Sequence, residues 1–599
     1  MSMGWFGGGP AHGGKPVQGA LKILRRGLAD SPEMRRGLGY TIALAMFYSA
    51  GGLMVPILIQ QVLDKGLSDG FRPRFVYTAA ALASAVIVLV YVAGRATFRR
   101  MVDRSEEALK SLRVRVFEHI HRLSIAEQSA TRRGIFVTRV TSDIDQLLQF
   151  MEWGALSWIL GLTLMTGTLI AMFVYQWRLA LVVLGIIVPV VFTLRLLQRR
   201  VLEAYENVRT RVSETLSEIS ESVTGAAVIR AYGYDERMDQ RLKRAIQNQY
   251  EAIIHSNKYM AATLPMSDFF GGLGLAAVLV VGVVFGPGWD MTSGELVAFL
   301  FLVTLFLQPL GEIAETFDQT QTAIAAWRKV LGVLDTPIDV VEPVDGAILP
   351  TGALALATKG LHFAYVEGDL VLKGIDVDIQ PGARIAIVGE TGCGKTTFAK
   401  LLCRLADPLE GHILVGGIDL RDVDPVSRRA AIRLVPQDGF LFDTTIRNNV
   451  LFGRDGAIED EVDGAFEALG LTGLLDRLPK GLDTVVGERG DALSVGERQL
   501  VALARAQIGD PGLLILDEAT SAVDPETDAM LQDALERLAE GRTSLTIAHR
   551  LSTAENAELV LVFDRGRIVE RGSHDQLVRA GGVYARLHRS WLGNTRTGA

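Results

Sequence analysis

Ala383-Arg384-Ile385-Ala386-Ile387-Val388-Gly389-Glu390-Thr391-Gly392-Cys393-Gly394-Lys395-Thr396-Thr397 begins as a short apolar run and ends in a glycine-rich loop, after which residues 398–405 return to a helical pattern. The run reads as a buried strand, so the segment is strand, loop, helix. Gly389, Gly392 and Gly394 let backbone N–H groups approach phosphate oxygens, and the helix start adds the positive end of its dipole. Lys395 then reaches terminal phosphates and Thr396 can ligate Mg2+. Thr391, Cys393 and Thr397 complete the candidate contacts, Cys393 standing where only a small side chain fits.

Downstream, Leu513-Leu514-Ile515-Leu516-Asp517-Glu518 is a second apolar strand, here ending in two carboxylates. Beside a phosphate loop, Asp517 is placed to hold the metal, partly through its water shell, and Glu518 to polarise an attacking water. A strand-end carboxylate that only caps the next helix is the plainer alternative.

Outward from this core the chain changes character. It has 599 residues, more than one ordinary domain needs. Its 49% hydrophobic residues and mean hydropathy of +0.26 exceed the needs of a soluble enzyme, whereas 22% charged residues are too many for a bundle lying wholly in a membrane. The formal net charge of -7 lacks the basic footprint of a nucleic-acid binder, so nucleic acid is not an expected partner. Two cysteines, Cys393 and Cys403, exclude a disulfide framework. The glycine-rich residues 1–10 do not suggest a cleaved secretory peptide.

Six apolar stretches precede the phosphate loop, at 39–63, 75–94, 154–175, 179–197, 264–285 and 296–310. Most approach the ~20 residues needed to cross a bilayer. The last is short, but 311–320 can continue its helix beside a wet cavity or packed protein. Arg35 and Arg36 precede the first stretch, and Arg95, Arg99, Arg100, Arg113 and Arg115 follow the second. That bias places both termini in the cytoplasm of a multi-pass protein of the cytoplasmic membrane. The connections 95–153 and 198–262 hold no proline and read as helices leaving the membrane, reversing near 128–135 and 225–234. Residues 20–28 interleave Lys22, Arg25 and Arg26 with leucines and isoleucine, as an interfacial helix would, although a solvated tail is an alternative. Pro337, Pro343 and Pro350 mark a boundary. The expected division is a tail at 1–30, a transmembrane domain at 31–335, a linker at 336–350, a nucleotide-binding domain at 351–590 and a short tail at 591–599.

Further motifs carry a resemblance. Leu493-Ser494-Val495-Gly496-Glu497-Arg498-Gln499, upstream of Asp517, resembles the signature of ATP-binding cassette (ABC) ATPases. Gln437 in Val435-Pro436-Gln437 resembles the family's Q-loop, Ser521-Ala522-Val523-Asp524 its D-loop, and His549 in Ile547-Ala548-His549-Arg550 its switch histidine. Tyr365 resembles the aromatic that stacks on adenine. In the first half, Val116-Phe117-Glu118-His119-Ile120, Val140-Thr141-Ser142-Asp143-Ile144-Asp145, Trp177-Arg178-Leu179-Ala180 and residues 221–236 are similar to the intracellular loops and fourth helix of the exporter type.

The resemblance implies an all-α six-helix transmembrane domain joined to an α/β P-loop NTPase domain, with ATP and Mg2+ as cofactors. It gives Glu518, His549 and Gln437 catalytic roles, puts Gln437 beside Thr396 and Asp517 at the metal, and adds Ser494, Gly496 and Asp524 to the nucleotide contacts. It also implies ATP-driven export of a hydrophobic or amphipathic substrate by a dimer, in which each signature closes over ATP held by the other subunit. One position departs: the family usually has Gly where this chain has Val495. A β-branched residue there restricts the backbone and projects into the ATP sandwich. A heterodimer with unequal sites is therefore expected, with a homodimeric exporter or lipid flippase, or an importer on the exporter fold, as alternatives. Asp268, Glu312, Glu315 and Asp318 lie in or near the spans and suit a cationic or amphipathic substrate, or simply a hydrated cavity.

Overall fold

The computed structural model describes residues 19–67, 70–130, 133–365, 368–517, 524–548 and 550–596. Glu518 and His549 lie outside the described residues, as do Ser521 to Val523 of the expected D-loop. The described residues form two compact units, within Met1–Val116 plus Thr138–Val333 and within Phe117–Val137 plus Leu334–Ala599.

The first unit is helical. Among the described residues, four of its helical segments are long and apolar enough to cross a membrane: Leu38–Leu67, Pro73–Arg122, Gly134–Pro189 and Asp268–Trp289; Ser293–Pro309 is a shorter apolar helix. The third segment runs into the two expected spans at 154–175 and 179–197. They share the helix Ala155–Thr224, which is interrupted at Gln176, where φ is -159° and ψ is 99°. The extended backbone at that one residue separates two stretches of helix, so a span count by helix length runs lower than the count of apolar runs. The last helix continues through Pro309 to Asp335, as the sequence suggests. In the 73–122 helix the most apolar window has a hydropathy of 2.3 and none of it is buried. Leu82, Ile87, Val88 and Val92 stand exposed there, a surface that needs acyl chains rather than water against it. Internally, Met172, Leu179, Val183, Val278, Phe299, Leu302 and Phe306 pack into one cluster.

The N-terminal segment is a packed helix, Ala20–Ala29, rather than a solvated tail. Ile23 is buried, and a Cβ at Gly27 would meet the Trp327 ring at 2.5 Å, so only glycine admits that approach. Nearby, Asp143 is 1% exposed and is held by Arg139 at 2.7 Å and Lys329 at 2.9 Å. The two cations offset the cost of burying this carboxylate.

Of the two expected reversals between the long helices, the second falls where expected: Gly225, the short helix Ala226–Tyr232, and Gly233 in the left-handed region at φ 65° before Asp235–Phe285. The first begins earlier than 128–135. The long helix ends at Arg122 and a new one, Ile125–Ala130, follows. Ser124 Oγ accepts from Glu127 N at 3.3 Å, and Gln128 Nε2 donates to the carbonyls of Ile120 and Leu123 at 2.9 and 3.1 Å. A serine cap on the new helix and an amide on the orphaned carbonyls of the old one together move the break upstream.

The second unit is built on a sheet in the order Arg567–Gly572, Leu559–Asp564, Arg384–Gly389, Thr543–Ile547, Leu513–Asp517, Ile432–Val435. The last five run parallel, and the first pairs antiparallel at the edge. Buried on both faces, the parallel strands read as continuous apolar runs, which is why Ile385 to Val388 and Leu513 to Leu516 could be recognised. An antiparallel sheet of Leu372–Ile379, Leu356–Phe363, Glu410–Val415 and Ile418–Asp419 covers the same core with Leu361, Leu372 and Ile375. The segment leading into this unit is anchored by Arg428, whose guanidinium donates to both oxygens of Glu342 at 2.9 and 2.7 Å. That paired hydrogen bond holds the Glu342 carboxyl below the usual range.

Candidate nucleotide site

The strand Arg384–Gly389 lies between two parallel neighbours, and the loop leaving its carboxyl end is where a doubly wound sheet holds its ligand. Gly389 has φ 154°, and a Cβ there would lie 2.3 Å from the Phe563 carbonyl oxygen and 2.8 Å from Cys393 Sγ. Gly394 has φ 109° and becomes the N-cap of the helix Lys395–Leu402. These glycines are fixed by the strand's neighbours as much as by any phosphate. Behind the loop, Phe398 packs on Phe563 with ring centroids 5.5 Å apart, which seats the helix against the sheet.

Lys395 is almost wholly buried, and its Nζ donates to the carbonyls of Gly389 at 2.7 Å and Glu390 at 2.9 Å. The ammonium is thus held inside the curve of the loop, where a phosphate oxygen would find it. Thr396 Oγ1 donates to Asp517 Oδ2 at 3.2 Å, bringing together two of the three side chains expected at the metal, Gln437 being the third. A hydroxyl and a carboxylate facing one another are a hard oxygen pair, which fits Mg2+ carrying waters and phosphate oxygens in its remaining positions. Thr391 is exposed at the loop's tip and Cys393 is buried beneath it. Burial pushes the Cys393 thiol up, outweighing the nearby Lys395 ammonium, so its part is to fill space.

Tyr365 follows the strand Leu356–Phe363. Its hydroxyl lies 3.1 Å from Thr397 Oγ1, and its ring meets Phe363 edge-on at 5.1 Å. Ile125 and Leu405 line the small cavity beside it, and Ile125 N donates to the Leu405 carbonyl at 3.1 Å. Thr397 therefore has a partner that its place in the motif did not suggest.

The signature segment starts the helix Val495–Ile508. Ser494 is its N-cap: the hydroxyl accepts from Glu497 N at 3.2 Å while Ser494 N donates to Glu497 Oε2 at 2.7 Å. This capping box leaves the hydroxyl hydrogen for an acceptor outside the helix. Gly496 is buried, and Val495, 44% exposed, takes up ordinary helical backbone without positive φ. The backbone half of the sequence argument against Val495 therefore falls, since no left-handed residue is required. Its steric half stands: an apolar branched side chain projects at the first helical position.

Gln437 is exposed after the strand Ile432–Val435, and its carbonyl accepts from Gln499 Nε2 at 3.0 Å. Gly439 comes so close to the signature helix that a Cβ would lie 2.9 Å from the Arg498 backbone. The Q-loop and the signature helix are thereby fastened together, a link for which the sequence carried no signal beyond the presence of Gln499 in the motif. Asp524 caps the helix Pro525–Ala539 by accepting from Thr527 N at 2.9 Å, and that backbone hydrogen bond lowers its pKa. Its visible role is the plain one.

Residues 38–310 match the family model described as ABC transporter transmembrane region, and residues 372–521 match that described as ABC transporter. The chain is 30% identical to the ATP-dependent lipid A-core flippase of Syntrophus aciditrophicus, over 92% of each chain. It is 32% identical to the fatty acid ABC transporter ATP-binding/permease protein of Mycobacterium bovis, over 88% of this chain and 83% of that one. Among solved structures, a bacterial Atm1-family ABC exporter with ATP bound superposes with a TM-score of 0.74 at 28% identity, covering 92% of this chain and 97% of the other.

Proposed function

This chain belongs to the ABC transporter family, with the transmembrane region and the ATPase cassette on one polypeptide, and from that premise we propose that it exports a lipid-like amphipathic substrate across the cytoplasmic membrane as one half of a dimer with unequal ATP sites. The chain is an ATPase coupled to transport, and ATP-driven export is its activity. What supports the substrate class is the pair of relatives whose names specify lipid A-core and fatty acid, together with the apolar character of the spans. The unequal sites rest on one observation: a fully formed phosphate loop stands on the same cassette as a signature helix whose first residue is Val495.

In this reading Lys395 and the amides of the Gly389 to Gly394 loop bind the β- and γ-phosphates of ATP, and Tyr365 faces the adenine. Thr396, Asp517 and Gln437 would hold Mg2+, which would supply positive charge against the transferred phosphoryl group. Glu518 orients the attacking water and His549 contacts the γ-phosphate. Ser494 and the first amides of its helix serve the ATP of the partner cassette, donating to its γ-phosphate. Hydrolysis removes the charge both cassettes share, and the loosened pair lets the helices exchange their open side. This chain then supplies Lys395, Asp517, Glu518 and His549 to the hydrolytic site, while its own signature serves the weaker one.

Reconstitution tests the substrate and the direction together. Proteoliposomes containing the chain with its partner half should move a fluorescent lipid analogue out of the cassette-side leaflet when given ATP and Mg2+, and the Glu518→Gln variant should not. Movement in the opposite sense would support the importer alternative, and ATPase activity indifferent to a panel of lipids would remove lipid from the proposal.

A further inference from the structure

Beyond the nucleotide site, two histidines and a carboxylate from three separate elements meet on the cassette. Glu555 ends the helix Leu551–Glu555, His574 begins the helix His574–Ala580, and His588 lies in the helix Val583–Arg596. One ligand atom from each lies within 4.8 Å of the other two. His588 Nε2 is 4.0 Å from Glu555 Oε1, and the two imidazole centroids are 5.2 Å apart. Glu555 is exposed and both histidines are half-buried, so the cluster is reachable from water.

What distinguishes the cluster from chance is the group behind it. His574 Nδ1 is 2.7 Å from the hydroxyl of Tyr584, which is 0% exposed. With Nδ1 occupied, Nε2 is the nitrogen of His574 left to ligate. A metal-binding imidazole whose second nitrogen is fixed by a polar partner has its ring orientation set in advance. Tyr584 is itself held in place, its N–H donating to Glu570 at 3.0 Å while its ring lies nearly parallel to that of His588 at 6.3 Å.

We propose that Glu555, His574 and His588 form a binding site for a divalent transition metal of the Zn2+ class, bridging the C-terminal helix to the helix Leu551–Glu555. Two neutral imidazoles and one carboxylate match the ligand preference of Zn2+, with water in the fourth position. Tetrahedral bonds of ~2.1 Å put ligand atoms roughly 3.4 Å apart, so the cluster closes by about 1.4 Å at most. Rotation of the exposed Glu555 and of His588 supplies that movement without shifting the backbone. Three elements already joined by the His574–Tyr584 hydrogen bond and the His588–Glu555 contact then share one ion, and the docking of the helix Val583–Arg596 becomes metal-dependent.

The test uses the full chain in detergent with its affinity tag removed, equilibrated with ZnCl2, dialysed and analysed for bound metal and thermal midpoint, with no nucleotide or Mg2+ present. The wild type should retain about one Zn2+ per chain and melt at a higher temperature than after chelation. His588→Ala and Glu555→Gln should each lose the metal and the shift, and Glu555→Gln, at an exposed position, keeps the fold intact for the comparison. Tyr584→Phe, which removes only the hydroxyl, should weaken binding by about tenfold. Failure of the wild type to retain zinc, or retention by His588→Ala and Glu555→Gln equal to the wild type, overturns the proposal.

Discussion

The phosphate loop and the signature segment lie on one cassette and belong to the same reaction, yet they are built differently. The loop is finished by its own subunit: strands on either side force Gly389 to φ 154°, Phe563 and Leu372 close it from behind, and Lys395 is already drawn into its curve. The signature segment is satisfied only locally. Ser494 and Glu497 cap each other, Gly496 is buried, and what faces outward is a hydroxyl and the side chain of Val495. In the proposed dimer, the contrast separates the half of an ATP site that one chain finishes by itself from the half that a second chain would complete.

The largest effect should follow from breaking the finished half. Lys395→Ala removes the buried ammonium, and ATP turnover should fall on the order of 100- to 1,000-fold, measured as phosphate release from the reconstituted transporter. Gly389→Ala attacks the same loop through shape. Its added Cβ has no room beside the Phe563 carbonyl, so we expect a loss of about 1 to 3 kcal/mol in cassette stability by thermal or denaturant unfolding, with ATP binding weakened alongside. Ser494→Ala probes the other half. It deletes the cap of Val495–Ile508 and should cost about 1 kcal/mol, while ATP bound by this chain's own phosphate loop is unchanged in equilibrium dialysis. Smallest of all is Cys393→Ala, expected to be nearly silent in turnover. Because burial raises the thiol's pKa, maleimide labelling of Cys393 should be slow at neutral pH and accelerate only as the pH rises beyond the ordinary thiol range.

The division between legible and hidden features follows from range. The strand, loop, helix around Gly389, the carboxylate at the end of Leu513–Asp517, the long helices and the second reversal are written in contiguous residues, so local pattern was enough. The hydroxyl pairing of Tyr365 with Thr397, the amide of Gln499 on the Gln437 carbonyl and the grip of Arg428 on Glu342 join residues far apart in the chain. Composition and periodicity carry no trace of such pairs. The first reversal opens a few residues upstream of the expected range, because a serine and a glutamine set the break. Val495 shows the same limit: sequence shows which residue is unusual, but only the backbone shows that its φ is helical.

Whether the unfinished half is handicapped by Val495 can be asked of the purified chain without any partner. Its molecular mass and ATPase rate in nanodiscs should be compared with those of Val495→Gly. The proposal of unequal sites predicts a slow or monomeric wild type, and a Val495→Gly variant that pairs with itself and hydrolyses ATP about tenfold faster, equivalent to ~1.4 kcal/mol. A wild-type chain that forms a monodisperse dimer and turns over ATP as fast as Val495→Gly would contradict it.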